Sequence, residues 1–316
     1  MVGSALYRNL QKDKSRMSKF ELITKDRSEL NLLNQKDVND FFENKKLDQV
    51  YLAAAKVGGI FANYNYPAEF IYENLLIELN IINAAFKSGV KKLLFLGSSC
   101  VYPKYASQPI SENQLLSGLL EKTNEPYVLA KIAGIKLCES YNRQYGKRYG
   151  IDYRCVMPTN LYGVGDNYHS LNSHVIPGLI KKFHLAKINE YKTVKVWGSG
   201  KARREFLYVN DLAKACIFIM NLNKRTYKSN TMPTQSHINI GSGEEISIRQ
   251  LALLIQKEVG FKGKVIFEIN KPDGTPRKLI DSAKINKLGW TPSVKLKQGL
   301  RYTYNDFKKK YLKKIG

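Results

Sequence analysis

A tyrosine and a lysine four positions apart, Tyr127 and Lys131, lie within a segment of helical periodicity. Residues i and i+4 project from one face of a helix, so the ammonium is expected beside the phenol. A nearby positive charge favours tyrosinate and lowers the pKa of the phenol, which makes tyrosine usable as an acid or a base near neutral pH. The spacing predicts proton transfer to a bound ligand, and a purely structural pair stays the alternative.

Two small hydroxyl residues and a thiol come about thirty residues earlier in the chain. Ser98, Ser99 and Cys100 directly follow the apolar run Lys92–Gly97, which is typical of a parallel strand that is buried on both sides. Ligands of open α/β sheets bind at the carboxyl ends of such strands. We therefore expect these residues to share a site with Tyr127, although a lone cysteine in this place is more often a small buried residue.

The first half of the chain alternates strand and helix signals. The helical segments are Lys36–Asn44, a helix opened by Pro67 and Pro126–Tyr145, and the strand-like segments are Phe20–Thr24, Asp48–Ala53, Lys92–Gly97 and Tyr153–Met157. This alternation predicts an α/β fold, a Rossmann-like doubly wound parallel sheet with a smaller C-terminal lobe. We expect residues 1–163 to form the first domain, with a segment at about 204–223 returning to it, and residues 164–316 to form mainly the second lobe.

The net charge of the chain does not by itself indicate a class of binding partner. The 316 residues carry 51 Lys plus Arg against 27 Asp plus Glu, a net charge of +24. Most of the excess is lysine scattered along the chain, which is typical of a solvated surface and, less often, of attraction to small anions. No helix-turn-helix, zinc-finger or RNA-binding pattern organises the charge, so we do not expect a nucleic-acid partner.

Other compositional features exclude further classes. No apolar run approaches the roughly 18 residues that span a membrane, and the first residues lack the apolar stretch of a signal peptide. The cysteines are too widely spaced to predict a disulfide framework or a zinc site, so we expect no metal and a reducing, cytoplasmic setting. They are Cys100, Cys138, Cys155 and Cys216.

Six segments spread along the chain are similar to the GDP-L-fucose synthase family of the extended short-chain dehydrogenase/reductase superfamily. They are Leu52–Ile60, Phe95–Cys100, Asn124–Tyr127, Met157–Gly163, Asn172–Pro177 and Lys271–Lys278. The resemblance extends from Met1 to about Tyr304. The cysteine after Ser98-Ser99 and the histidine in Asn172–Pro177 separate this family from ordinary sugar epimerases.

The resemblance implies a reaction in two stages. GDP-4-dehydro-6-deoxy-D-mannose is epimerised at C3 and C5, and NADPH then reduces the C4 ketone to give GDP-L-fucose. The ketone acidifies the C3 and C5 protons, so one base and one acid can invert both centres. The resemblance implies Cys100 as the base and His174 as the acid. Ser98 and Tyr127 would stabilise the enolate oxygen, and Lys131 would hold the nicotinamide ribose and tune Tyr127.

Residues 1–163 are then expected to bind NADP(H). Arg27 follows the predicted strand Phe20–Thr24 and suits a 2′-phosphate, whereas NAD-selective sites tend to carry a carboxylate there. Asp26 beside it weakens this signal, and a surface salt bridge of Arg27 is the alternative. The implied cofactor contacts are Gly3, Arg27, Leu96, Gly97, Ser98, Ser99, Lys131, Pro158, Thr159, Asn160, Leu161 and His174.

The second lobe is expected to bind the nucleotide sugar. The resemblance implies contacts from Lys182, Trp197, Arg204 and Asp273. Two positions depart from the family pattern. Lys182 stands where an arginine is expected, so attraction to phosphate survives without the guanidinium fork. Asn210 replaces a frequent aspartate, while Asp211 is kept.

The start of the chain departs most from the family. Its first strand and the first two glycines of its phosphate-binding turn have no counterpart, and only Gly3 matches the last glycine. We expect the first strand of the sheet to be missing here because the coding sequence begins upstream of Met1. Three alternatives stay open: a reductase or epimerase for a related nucleotide sugar, a non-catalytic nucleotide-sugar-binding subunit, and a nucleic-acid-binding protein. The family also suggests a homodimer formed through the Tyr127 helix and the helix opened by Pro67.

Overall fold

A computed structural model describes residues 1–17, 20–169, 172–271 and 274–312. The helices are Val2–Met17 (α1), Gln35–Glu43 (α2), Ile60–Asn65 (α3), Pro67–Lys87 (α4), Glu125–Tyr145 (α5), Val175–Ile188 (α6), Val209–Asn221 (α7), Lys224–Ser229 (α8), Ile248–Val259 (α9), Ala283–Lys287 (α10) and Leu296–Leu312 (α11). The strands are Gln49–Leu52 (β1), Lys92–Leu96 (β2), Asp152–Pro158 (β3), Asn160–Tyr162 (β4), Thr193–Trp197 (β5), Arg203–Tyr208 (β6), His237–Ile240 (β7), Glu245–Ser247 (β8), Lys264–Glu268 (β9) and Arg277–Lys278 (β10).

Four parallel strands form the main sheet in the order β1-β2-β3-β7. Side chains of successive strand residues point to opposite faces, and β2 shows this directly. Leu93 and Phe95 enter the core with α2, α4 and α5, whereas Leu94 and Leu96 enter the core with α1 and α7. Helices therefore cover both faces of the sheet, as the sequence predicted, and the carboxyl ends of its strands meet at one edge.

A second group of elements forms the outer lobe. Helices α6, α9 and α11 pack around strands β5 and β6 in a separate core, to which Phe183, Val196 and Phe206 contribute. Strand β5 pairs with β9 in a small parallel sheet. Strand β6 pairs with β4 and β10 in parallel and with β8 in antiparallel orientation. No helix in the described part of the chain is long and apolar enough to span a bilayer.

The predicted strand Phe20–Thr24 is wrong. The segment has no regular secondary structure and takes no part in a sheet, since in the described ranges β1 pairs only with β2. A strand needs a neighbour for its backbone hydrogen bonds. The other predicted elements agree with the structure to within two residues, including the helix that Pro67 begins at its first turn.

Two glycines allow the close packing beneath the strand ends. A Cβ on Gly97 would lie 2.4 Å from the Sδ atom of Met157, and a Cβ on Gly134 of α5 would lie 2.4 Å from the ring of Phe95. Heavy atoms cannot approach so closely, so glycine is required at both positions if the neighbours keep their places. The result is that α5, which carries Tyr127 and Lys131, sits directly against β2.

Candidate functional site

A cavity of about 700 Å³ opens at the carboxyl ends of the main-sheet strands. It contains every predicted catalytic and cofactor-binding residue. These are Gly3, Arg27, Leu96, Gly97, Ser98, Ser99, Cys100, Tyr127, Lys131, Pro158, Thr159, Asn160, Leu161 and His174. The segments after β2 and β3, the N-terminal part of α5 and the start of α6 supply most of them. Backbone topology therefore brings together residues that are up to 171 positions apart in sequence, from Gly3 to His174.

The segment after β2 turns tightly above α5. Ser98 is the N-cap of a single 3₁₀ turn, Ser99–Val101, and its hydroxyl accepts a hydrogen bond from the Cys100 backbone N–H at 3.3 Å. The Ser98 hydroxyl also hydrogen-bonds to the Tyr127 hydroxyl. The ring of Tyr127 packs edge-on against Phe70 of α4. One serine thus fixes the relative positions of the thiol and the phenol.

Tyr127 does not have the lowered pKa that its spacing from Lys131 predicts. Burial raises the pKa of the phenol, the negative charges of Cys100 and Glu78 raise it further, and the hydrogen bond with Ser98 opposes them. The Nζ atom of Lys131 instead lies 3.1 Å from a carboxylate oxygen of Glu78. The ammonium charge is therefore largely compensated by an acid, and Tyr127 is held as a protonated phenol, the form that donates a proton.

Cys100 is set up as a base. Burial disfavours the thiolate, but the charge of Lys278 and hydrogen bonds from Ser98, Lys278 and Asn124 outweigh it, so the pKa of the thiol is lowered. The Nζ atom of Lys278 lies 3.6 Å from the Cys100 sulfur. A thiolate rather than a thiol abstracts protons, and an adjacent ammonium is an effective way to stabilise it. The position after β2 therefore supplies a base in the same cavity as the Tyr127 acid.

His174 completes the group of titratable residues. It is the N-cap of α6 and is exposed at the cavity. Burial by the surrounding protein still lowers the pKa of its imidazole. In the protein alone the imidazole is mainly neutral at pH 7, so a role as acid requires the negative charge of a bound ligand to favour the imidazolium.

The residues of the cavity fit a phosphorylated dinucleotide. Leu96, Gly97 and Pro158 give it an apolar floor, and Lys131 supplies a buried ammonium. Lys25 and Arg27 line its far end in a turn where Asp26 accepts hydrogen bonds from Ser28 and Glu29. The Asp26 carboxylate is thus engaged by the backbone, and Arg27 is left 81% exposed with Glu73 at 3.9 Å. An exposed guanidinium at this end suits the 2′-phosphate of NADP.

Three of the four predicted substrate residues, Lys182, Trp197 and Arg204, are not among the residues that line this cavity. The Nζ atom of Lys182 lies 5.8 Å from the centre of the exposed Trp197 ring, and that of Lys271 lies 5.6 Å from it. We refer to Lys182, Trp197 and Lys271 as the outer cluster. Arg204 lies on β6, two residues before the cavity residue Phe206. Asp273 lies outside the described residues.

Three further residues escaped the sequence prediction. Asn124 and Lys278 fall inside the segments that carry the family resemblance, but nothing in their spacing assigns them to Cys100. Glu78 had a readable signal, since it is a carboxylate on the buried stripe of α4, four positions from both Asn74 and Ile82. Acidic residues are rarely buried without a partner, so this position alone predicts a buried cation nearby.

Other predicted absences can be examined only in the described ranges. All four cysteines are free thiols. No group of three or more His, Cys, Asp or Glu side chains in those ranges could hold a metal ion. Asn210, which departs from the family pattern, accepts a hydrogen bond from Arg8 at 3.3 Å. Asp211 accepts hydrogen bonds from Ser293 and Val294 and so ties α7 to the loop before α11.

Comparison with known proteins agrees with this geometry. Residues 1–241 match the model of the NAD dependent epimerase/dehydratase family. The chain is 56% identical to the GDP-L-fucose synthase of Escherichia coli K12, over 97% of this chain and 93% of that protein. It is 52% identical to GDP-L-fucose synthase 1 of Arabidopsis thaliana, over 96% and 89%.

A solved structure supports the same conclusion. The GDP-mannoheptose C4 reductase of Campylobacter jejuni with NADP bound superposes with a TM-score of 0.86 at 38% identity, covering 97% of this chain and 95% of that one. The cavity, its tyrosine–lysine pair and the full-length similarity lead to one assignment. The chain belongs to the NAD dependent epimerase/dehydratase family, in its GDP-L-fucose synthase branch.

Proposed function

We propose that the protein converts GDP-4-dehydro-6-deoxy-D-mannose to GDP-L-fucose by 3,5-epimerisation and reduction of the C4 ketone. One observation carries the proposal: a thiol with a lowered pKa, held by Lys278 at 3.6 Å, shares a cavity with the protonated Tyr127. A simple 4-keto reductase needs the tyrosine acid but has no use for a second, thiolate base. Both groups together suit a reaction that inverts carbon centres before it reduces the ketone.

In this proposal the Cys100 thiolate removes the proton from C3 or C5 of the sugar. Negative charge moves to the C4 oxygen, where the hydroxyls of Ser98 and Tyr127 donate hydrogen bonds. His174 returns a proton to the opposite face of the carbon, which inverts it. Cys100 then releases the proton it took to water and His174 takes one up from water, so both groups are restored. The sequence is repeated at the second carbon. The thiolate and the imidazole thus need only to face opposite sides of one ring.

Reduction uses the same polar groups. Bound NADPH supplies the hydride that C4 receives. Tyr127 donates its proton to the C4 oxygen as the carbonyl becomes an alcohol, and Ser98 holds that oxygen in place. Lys131 is proposed to hold the nicotinamide ribose, and Leu96, Gly97 and Pro158–Leu161 to contact the rest of the cofactor. Gly3 is proposed to receive the cofactor phosphates at the start of α1.

The outer lobe is proposed to bind the GDP moiety. Trp197 offers an exposed ring face, and Lys182 and Lys271 add positive charge beside it. Arg204 is proposed to contact the diphosphate. Asp273 is proposed as a further contact. In domain terms, residues 1–163 and the segment at about 204–223 would bind the cofactor, and residues 164–316 would bind mainly the nucleotide sugar. The packing of α7 against α1 supports this division.

We propose a homodimer that pairs through α4 and α5. Large apolar side chains are exposed on both helices, namely Tyr72 and Leu79 on α4 and Leu129 on α5. Light scattering of the wild type and of Leu79→Arg tests this, since a charge in a dimer contact shifts the protein to monomer. The free cysteines suit a reducing, cytoplasmic location, which fractionation of the producing cell tests.

The decisive experiment uses the purified chain with GDP-4-dehydro-6-deoxy-D-mannose and NADPH in D₂O. We expect NADPH oxidation and a product that carries deuterium at C3 and C5. Cys100→Ser is expected to lose the exchange by a factor of roughly 10²–10⁴. Cys138 is a buried thiol on α5, and Cys138→Ser is the control for loss of a sulfur atom.

A different outcome favours the related activity of a plain C4 reductase, as in the solved heptose reductase. In that case NADPH is consumed but C3 and C5 keep their hydrogen in the wild type. A wild-type protein that binds the nucleotide sugar yet neither exchanges nor oxidises NADPH is a non-catalytic subunit. Retention on DNA or RNA that salt abolishes would point to nucleic-acid binding instead.

A further inference from the structure

Glu78 and Lys131 form a buried ion pair beneath the cavity. The two side chains are 2% and 4% exposed, and the distance from Nζ of Lys131 to the carboxylate oxygen is 3.1 Å. In the described ranges no donor other than Lys131 reaches either oxygen of Glu78. Glu78 lies on α4 and Lys131 on α5, so the pair joins the two helices.

The side chains and backbone around the Glu78 carboxylate are closely packed. A Cβ on Gly134, three residues after Lys131, would lie 2.6 Å from Oε2 of Glu78. On its other side the Lys131 ammonium lies 4.8 Å from the centre of the Phe95 ring. The centre of the Tyr127 ring lies 6.0 Å from it, so the ammonium has one anion and two aromatic rings as neighbours and is shielded from solvent. Without Glu78, burial would favour loss of its proton.

Resting on the proposed function, we propose that Glu78 is a positioning residue that keeps Lys131 charged in the dry cavity, so that Lys131 can hold the NADPH ribose. Glu78 itself contacts neither cofactor nor sugar in this proposal and acts only through Lys131. The pair would maintain the ammonium at alkaline pH, where an isolated buried lysine would become neutral.

The acid–base behaviour of Glu78 is consistent with this role. Burial raises its pKa to about 7, against the opposing charge and hydrogen bond of Lys131. Below that pH Glu78 takes up a proton and supplies no compensating charge, so Glu78→Gln should behave like the wild type there. Above it the carboxylate supplies the compensating charge. The titratable groups that face the pair are Tyr127 from α5 and, beyond it, Cys100 with Lys278.

The test is NADPH affinity as a function of pH, measured by fluorescence titration without sugar. For Glu78→Gln we expect affinity to match the wild type near pH 6 and to fall about tenfold below it by pH 9. The rate of reduction should show the same extra loss. Glu78→Asp, which keeps the charge on a shorter side chain, should recover part of the difference.

Controls separate this role from a structural one. Glu139→Gln removes another buried acid, which lies away from the cavity and whose Oε2 atom pairs with Nζ of Lys136 at 2.8 Å. It should lower the melting temperature without changing the pH dependence of NADPH binding. In a Lys131→Met background, Glu78→Gln should cause no further pH-dependent loss.

Parallel pH profiles for the wild type and Glu78→Gln would overturn the inference. If Glu78→Gln does not fold, the pH dependence of NADPH affinity in Glu78→Asp and in the double variant tests the same inference. A wild type that binds NADPH but does not convert the GDP-sugar overturns the proposed function alone, because the binding titration needs no sugar.

Discussion

The cavity around Tyr127 and the outer cluster around Trp197 are built in opposite ways. In the cavity each reactive group is held by neighbours: Tyr127 by Ser98, Lys131 by Glu78, and Cys100 by Lys278. In the outer cluster Trp197 is 57% exposed and its neighbours are long lysine side chains. Chemistry requires fixed geometry, whereas recognition of a charged nucleotide tolerates flexible cations. Substitutions in the cavity should therefore change kcat, and those in the outer cluster should change KM.

The largest effect is expected from Tyr127→Phe. The variant loses the proton donor for the C4 oxygen, so reduction should slow by roughly 10²–10⁴-fold. Deuterium exchange at C3 and C5 should slow less and persist, because Ser98 still donates a hydrogen bond to the enolate oxygen. NADPH absorbance and mass spectrometry of the sugar measure the two steps separately. Tyr141→Phe on the same helix, whose hydroxyl lies 3.0 Å from Asn83, is the control. Equal loss of both steps would mean that the cavity does not divide its tasks in this way.

Lys278→Met should change the pH dependence of epimerisation. Removing the ammonium raises the pKa of Cys100, since that charge stabilises the thiolate. A base is active only when deprotonated, so exchange is lost as the pH falls through this pKa, and a higher pKa moves the loss to higher pH. If the pKa of Cys100 rises by about one, exchange at any pH below the old value falls about tenfold. Arg277 is on the same strand as Lys278 and pairs with Glu245. Arg277→Met should therefore leave the pH dependence of exchange unchanged.

Trp197→Ala tests the other half of the comparison. Stacking of a base on an aromatic ring is worth about 1–3 kcal/mol, so KM for the GDP-sugar should rise about tenfold with kcat nearly unchanged. Tyr191→Ala, an exposed aromatic residue before β5, is the control for loss of surface area. A fall in kcat with constant KM would show that the outer cluster takes part in catalysis.

The smallest effect is a gain. Lys182→Arg restores the guanidinium that the family pattern favours and allows two parallel hydrogen bonds to a phosphate, so KM should fall about threefold. Lys195→Arg on β5, which faces Glu268 at 3.7 Å, should have no effect. If Lys182→Arg leaves KM unchanged, the lysine is a general attractor of anions rather than a phosphate contact.

The two regions also differ in how far the sequence predicts them. Helices α4 and α5 and strands β2 and β3 can each be recognised from the sequence, so the positions of Tyr127, Lys131 and Cys100 in one cavity follow from the order of elements alone. The segment Phe20–Thr24 has the composition of a strand, but pairing depends on a neighbour that local sequence does not reveal. Lys278 lies 178 residues from Cys100, and no periodicity relates two residues at that separation.

Glu78 shows a different limit. Its burial is readable from the stripe on α4, yet its partner depends on how closely α4 and α5 approach. That distance is set by Gly134 and Phe95 and not by any local pattern. The sequence therefore predicts that a charge is buried there, and only the packed structure shows that the cation is Lys131.

Strands β6 and β10 connect the two regions through the charges of paired residues. Lys278 and Arg204 are register partners in this parallel pair, so two cations stand on neighbouring strands about 5 Å apart at the backbone. Like charges in such a position repel each other, and an anion bound at Arg204 relieves the repulsion. The charge of Lys278 also stabilises the thiolate of Cys100, so under the proposed function an anion at Arg204 and the thiolate would act on the same pair of cations, and such a linkage is reciprocal. Occupancy of the proposed diphosphate contact and readiness of the base would then rise and fall together.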